Sequence, residues 1–182
     1  MIDDQRVAIA AAVGAATANY AASGGATPGV VLVTGGSYLS GRVALANGCT
    51  LRVASGAVLR ASPDVADYGP EQDAWAFVYA RGVVDVAVDG GGVVDGGFEA
   101  FIAGFNAAND EFVPRGWPNC SGECRPRLAK FDSCTRVRVQ NVTFIGSPDW
   151  TLHVFNSTYV HVVDYTQVRD GMRVGACEAW GA

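Results

Sequence analysis

The sequence is short of charge, of histidine and of long apolar runs. Charged residues make up 17% of 182 positions, too few for long amphipathic helices to dominate. The formal net charge is -5 and no basic run stands out, which argues against nucleic acid or an anionic membrane as a partner. No apolar stretch is long enough to span a membrane. The opening "MIDDQRVAIAAAV" carries Asp3 and Asp4 where a signal peptide would be positive, so the chain as given shows no export signal. His153 and His161 stand without a Ser, Cys or carboxylate at a telling spacing. Neither nucleophilic nor metal chemistry is therefore indicated, and no cofactor is expected.

Cysteine is scarce and odd in number, with five residues. Only Cys120 and Cys124, in "NCSGEC", are close in sequence; the others are Cys49, Cys134 and Cys177. A local disulfide and two free thiols both fit that spacing. A metal site does not, because two sulfurs without a nearby histidine make a poor ligand set. Three Asn-x-Ser/Thr sequons, at Asn119, Asn141 and Asn156, lean toward a secretory origin.

What the chain has in quantity is glycine, 23 residues, and short β-branched runs. An Ala-rich segment from Asp3 to Ala22 reads as one helix, with acids at its start and Gly24-Gly25 as its stop. After it come strand-like pieces, "VVLV", "GRVAL", "CTLRVA", "GAVLR", "AFVYA", "VDVAVDG" and "GVVDG", each closed by turn residues. Strands of three to five residues need many neighbours to be stable, and no Asn-Gly hairpin turn joins two alternating runs. A repeating architecture is more economical.

"RLAKFDSCTRVRVQNVTF" can be laid over "TLHVFNSTYVHVVDYTQV". Leu128 falls on Leu152 and Phe131 on Phe155 at an offset of 24; Val137 falls on Val160, Val139 on Val162 and Asn141 on Asp164 at an offset of 23. The expectation is two registers separated by one gapped residue. A period of about two dozen residues with several short strands and no helix suits a parallel β-helix, whose coils stack about 4.8 Å apart. Leucine-rich repeats share the period, but this chain is Val-rich with infrequent Leu. Val137, Val139 and Val142 should point inward, with Arg136, Arg138 and His161 outward. Asn141 is expected at a bend with its amide turned inward, as in stacked Asn ladders, which would make its sequon inaccessible.

Taken in order, "GAVL" with "SPD", then "GGGVVDG", then "RPRL" with "NVTFIGSPDW", resemble the N-terminal half of the polygalacturonases, the family 28 glycoside hydrolases. The similarity covers about residues 3–168. It implies an all-β fold, a right-handed parallel β-helix (a pectin lyase-like solenoid) with an N-terminal capping α-helix. The expected organisation is a single β-helix domain over 1–182, incomplete at both ends, with a helical cap at 1–25 and a loop insertion at 97–127. The resemblance also implies inverting hydrolysis of polygalacturonate or pectin-like polysaccharide, by carboxyls held roughly 6.5–9.5 Å apart. An extracellular or cell-wall location goes with it.

In the family the catalytic residues follow the Ser-Pro-x-Trp segment, in an Asn-Thr-Asp-Gly motif, an Asp-Asp pair, a Gly-His-Gly and an Arg-x-Lys, none of which is found here. Asp170-Gly171 in "VRDGMRV" is the one remnant candidate, but it lies too close to Trp150 and has no Asn two positions before it. A turn is the plainer reading, and the isolated chain is expected to be inactive. Asp85, Asp89, Asp95, Asp132, Asp149 and Asp164 each sit at a bend or beside Gly or Pro and read as turn formers. Arg125, Arg127 and Lys130 are the candidate clamp for an acidic polysaccharide, set against a plain solvated loop edge. Two other readings stay open: a non-catalytic carbohydrate-binding or adhesive β-helix, and a calcium-dependent pectate lyase, against which the few clustered outward Asp residues speak. An uncapped last coil should favour self-association.

Overall fold

The computed structural model describes residues 2–117, 120 and 124–168. Asp170, Asn119 and Cys177, singled out above, lie outside them. Helix α1 (Ile2–Ala22) stops where expected, with Gly25 N–H donating to the Tyr20 carbonyl at 2.9 Å and Gly24 N–H to that of Ala21 at 3.0 Å. Among the described residues fourteen strands follow: β1 (Gly29–Val33), β2 (Gly36–Ser40), β3 (Val43–Ala44), β4 (Cys49–Val53), β5 (Ala57–Ala61), β6 (Ala76–Arg81), β7 (Val84–Asp89), β8 (Val93–Asp95), β9 (Ile102–Asn106), β10 (Glu111–Pro114), β11 (Arg127–Asp132), β12 (Thr135–Ile145), β13 (Leu152–Phe155) and β14 (Thr158–Val168).

Apart from the antiparallel β9–β10 hairpin, the named strands pair in parallel. They form three stacks: β1–β4–β7–β12–β14, then β2–β5–β8 with the second half of β12, then β3–β6–β11–β13. The chain visits the stacks in the same order on each circuit. Between them lies one continuous apolar core. Val31 faces Leu51, Leu51 faces Val88, Val88 faces Val139 and Val139 faces Val162, and all but Val162 are buried. Each fully buried Val or Leu in such a column contributes roughly 1.5–3 kcal/mol relative to exposure.

Three expectations change. Across β11 and β13 the register pairs Ala129 with Leu152 and Asp132 with Phe155, so the offset of 23 between Ser133 and Asn156 runs through both stacks without a gap. The matching of Leu128 to Leu152 and of Phe131 to Phe155 is off by one residue; Phe131 is fully buried and Phe155 is exposed. A one-residue slip in a strand exchanges its two faces, and burial of Phe131 fixes which is correct. Second, β12 runs unbroken through Gln140-Asn141, and Asn141 is exposed at a left-handed bend (φ 46°) rather than turned inward. Its carbonyl accepts from Gly91 N–H of the neighbouring coil, and its sequon is open to solvent. Third, the 97–127 segment contains the β9–β10 hairpin rather than irregular chain alone.

Left-handed residues recur at the same rung of successive circuits. Asp85 (φ 57°), Arg136 (φ 60°) and Tyr159 (φ 55°) are flanked by the paired residues Val84, Thr135 and Thr158 and by Val86, Val137 and Val160. Helix α1 lies over the first circuit with Val13, Ala16 and Tyr20 buried. A Cβ at Gly29 would stand 2.4 Å from the Ala16 Cα, so the helix seats only on glycine there.

Candidate functional site

The outer face of the third stack collects the polar groups that the core excludes. Register places Tyr79, Lys130 and His153 in one row and Arg81, Asp132 and Phe155 in the next. Tyr79 and Phe155 come from circuits whose sequence positions are far apart, and only the stacking brings them together. Between these rows and Asp73 lies a concave pocket of about 190 Å³.

Of the predicted clamp residues, Lys130 is 8% exposed, and its Nζ donates to the Asp73 carbonyl at 2.7 Å. Arg127 Nη1 donates to the same carbonyl at 3.2 Å. Arg125 and Arg127 also stand 3.9 and 3.8 Å from the Asp149 carboxylate. The trio is thus not a solvated loop edge: it is anchored by one backbone oxygen and one carboxylate. Burial, then the Arg127 charge, pulls the Lys130 amine below its ordinary value. An ammonium has three donors, and the pocket that Lys130 lines also includes Tyr79, Arg81, Asp132 and the apolar Phe155.

Buried polar atoms on this face that lack a hydrogen-bond partner include the Tyr79 hydroxyl, His153 Nδ1 and the Nε atoms of Arg42 and Arg127. Burial lowers the His153 pKa, and the Arg127 and Lys130 charges add to the effect. The His153 ring lies 4.8 Å from that of Trp150 and 6.3 Å from that of Phe155. Trp150 and Phe155 are each 58% exposed, an unusual amount for rings that size. The Arg42 guanidinium sits 5.1 Å above the Tyr79 ring centre and donates to the Ala74 carbonyl at 3.0 Å. Buried cations, unfilled hydroxyl and imidazole hydrogen-bonding capacity and open aromatic faces together suit a hydroxyl-rich, anionic ligand that has an apolar ring face.

Of the carboxylates read as turn formers, Asp85 and Asp164 stand at left-handed bends, and several of the set also tie neighbouring strands together. Arg52 donates to both oxygens of Asp89 at 2.6 and 2.8 Å, Arg60 to Asp95 at 2.7 Å, and Arg136 to Asp85 at 2.7 Å. Asp132 accepts from Ser133 Oγ at 2.8 Å. Cys120 and Cys124 form a disulfide, while Cys49 and Cys134 are buried thiols whose pKa values burial raises. Sequence reasoning missed Tyr79, Arg81 and Asp73 because their partners are far along the chain. Trp150 was in view as a landmark, and the offset of 23 applied to Lys130 would have led to His153.

No family model matches the chain, and no curated protein matches it by sequence. Solved structures do resemble it. A protein assigned as a glycosyl hydrolase from Parabacteroides merdae superposes with TM-score 0.58 at 21% identity, over 80% of this chain and 64% of that one. A hyperthermoactive exopolygalacturonase from Thermotoga maritima gives 0.68 at 21% identity, over 90% of this chain and 43% of that one. A family 28 exopolygalacturonase from Yersinia enterocolitica gives 0.51 at 16% identity, over 77% and 33%. The chain spans less than two thirds of the length of each, and what it shares with them is a polygalacturonase-like fold.

Proposed function

We propose, from the fold shared with exopolygalacturonases, that the chain is the N-terminal part of a glycoside hydrolase built as a right-handed parallel β-helix. Its substrate is polygalacturonate or a similar acidic cell-wall polysaccharide, met by the outer face of the third stack. The observation that carries this is the combination on that face of buried Lys130, the unpartnered Tyr79 hydroxyl and His153 Nδ1, and the exposed rings of Trp150 and Phe155. A uronate unit offers what each needs: a carboxylate for the cation, hydroxyls for the free polar atoms and an apolar pyranose face for the rings. An extracellular or cell-wall setting follows from such a substrate.

Hydrolysis with inversion needs two carboxyl groups and room for water between them. The Asn-Thr-Asp-Gly motif and the Asp-Asp pair that follow the Ser-Pro-x-Trp segment and supply these in the resembling family are not found after Trp150. The 182-residue chain is therefore expected to bind without turning substrate over. Affinity electrophoresis on polygalacturonate tests binding: Lys130→Gln and Trp150→Ala should each lose retardation, and unchanged mobility would sink the assignment of this face. A reducing-sugar assay tests turnover, and release above a heat-killed control would overturn the expected inactivity. Binding without turnover is also the behaviour of a carbohydrate-binding or adhesive β-helix, the second reading.

A further inference from the structure

A different groove, of about 270 Å³, lies on the outer side of β4, β7, β12 and β14, and it includes Thr50, Asp85, Arg136, Arg138, Tyr159 and His161 in its lining. Three of these, Asp85, Arg136 and Tyr159, are the left-handed residues that occupy one rung of successive circuits. A left-handed conformation costs a residue with a Cβ roughly 1–2 kcal/mol. Gly48, also left-handed at φ 65°, adopts this conformation at the entry to β4. Left-handed residues also recur at other bends, Ser133 with Asn156 and Asn141 with Asp164, but those are small polar residues; at this rung two circuits carry the bulky Arg136 and Tyr159, which line one groove with Asp85. Strain kept repeatedly at one surface points to a use for the side chains.

The groove is also organised. The Asp85 carboxylate accepts from the Tyr20 hydroxyl and from Arg136 Nη2, the latter at 2.7 Å, so its orientation is fixed. Arg138 is different: its Nη2 is 3.8 Å from Asp89 Oδ2, beyond hydrogen-bond reach, while Asp89 is already held by Arg52. His161 is the register partner of Arg138 on the next circuit. The Tyr159 side chain stands beside them, 80% exposed as a residue.

We propose that this groove is a second glycan-binding site, separate from the third-stack face, that takes a short acidic oligosaccharide. Arg138 and His161 receive a carboxylate, the oriented Asp85–Arg136 pair reads hydroxyls, and the Tyr159 ring stacks on a pyranose face. The ligand class rests on the proposed function; the existence of the groove and its strained rung does not.

Isothermal titration of the purified chain with a short galacturonate oligomer tests it, using Tyr159→Gly, Arg138→Ser and, for the other face, Lys130→Gln. Tyr159→Gly should keep or raise the melting temperature while weakening one of two binding phases about tenfold or more. A purely structural tyrosine could not give that combination. Arg138→Ser should weaken the same phase, and Lys130→Gln the other. Full affinity in both Tyr159→Gly and Arg138→Ser overturns the proposal, as does a wild-type chain that binds no oligomer. Loss in those two variants with Lys130→Gln unaffected keeps this site and removes the reading of the third-stack face.

Discussion

Gly48 lies so close beneath the Tyr20 ring that a Cβ there would stand 1.9 Å from Cγ, and its φ is +65°. Gly48→Ala therefore meets a left-handed penalty of roughly 1–2 kcal/mol and an overpacking cost of about 1–3 kcal/mol. Denaturant titration should show a loss in the upper part of the combined range, and a loss within experimental scatter would mean that the helix does not bear on this site. His153 gives a pH signature. Its folded pKa is lowered by burial and by Arg127 and Lys130, so the unfolded chain binds its proton more readily. Stability from this group is complete above the unfolded value of about 6.5 and falls as pH drops through the lowered folded value. His153→Gln should flatten that part of the stability profile, and an NMR titration should place the imidazole below the ordinary range.

At the scale of elements, legibility follows the spacing of the stacked strands. The offset of 23 between β12 and β14 was readable because no insertion separates them, as the Ser133–Asn156 contact reflects. Between β4 and β7 the offset is 37, and between β7 and β12 it is 51, because loops and the hairpin enter the circuits. Those pairings were hidden even though every strand in them had been recognised from its β-branched run. Matching identical residues misled where burial differs, since Leu152 sits over Ala129 rather than over Leu128. The third-stack site was illegible for the same reason as the long offsets: Asp73, Lys130 and Phe155 meet only after three circuits have stacked. The disulfide belongs to an inserted segment, and Cys120 and Cys124 are separated by only four positions. Closing so short a loop stabilises by about 2 kcal/mol at most in the chain-entropy account. The double variant Cys120→Ser, Cys124→Ser should lower the unfolding free energy from denaturant titration by no more than that, leaving the far-UV spectrum of the parallel stacks unchanged.

For the whole molecule the decisive asymmetry is between the two ends of the stacks. Helix α1 covers the first circuit, with Tyr20, Ala16 and Val13 buried against it. At the other end, among the described residues, β12 is the one strand that pairs with the 11-residue β14. Val160 and Val162, which continue buried columns, are 38% and 37% exposed there. An edge that long and apolar is a template for another strand. Two copies meeting through β14 use the same surface on each, which makes a closed twofold contact, and the helical caps at the far ends offer no second edge for growth. The expected species is therefore a dimer and not a fibre. Light scattering coupled to size exclusion should show a mass rising toward twice the monomer value with concentration and then holding. Val162→Lys, which places a charge on the open column, should keep the chain monomeric over the same range. A wild-type mass that stays monomeric from dilute to concentrated solution would show that the edge is protected by other means, and growth beyond a dimer would show that α1 does not seal the opposite end.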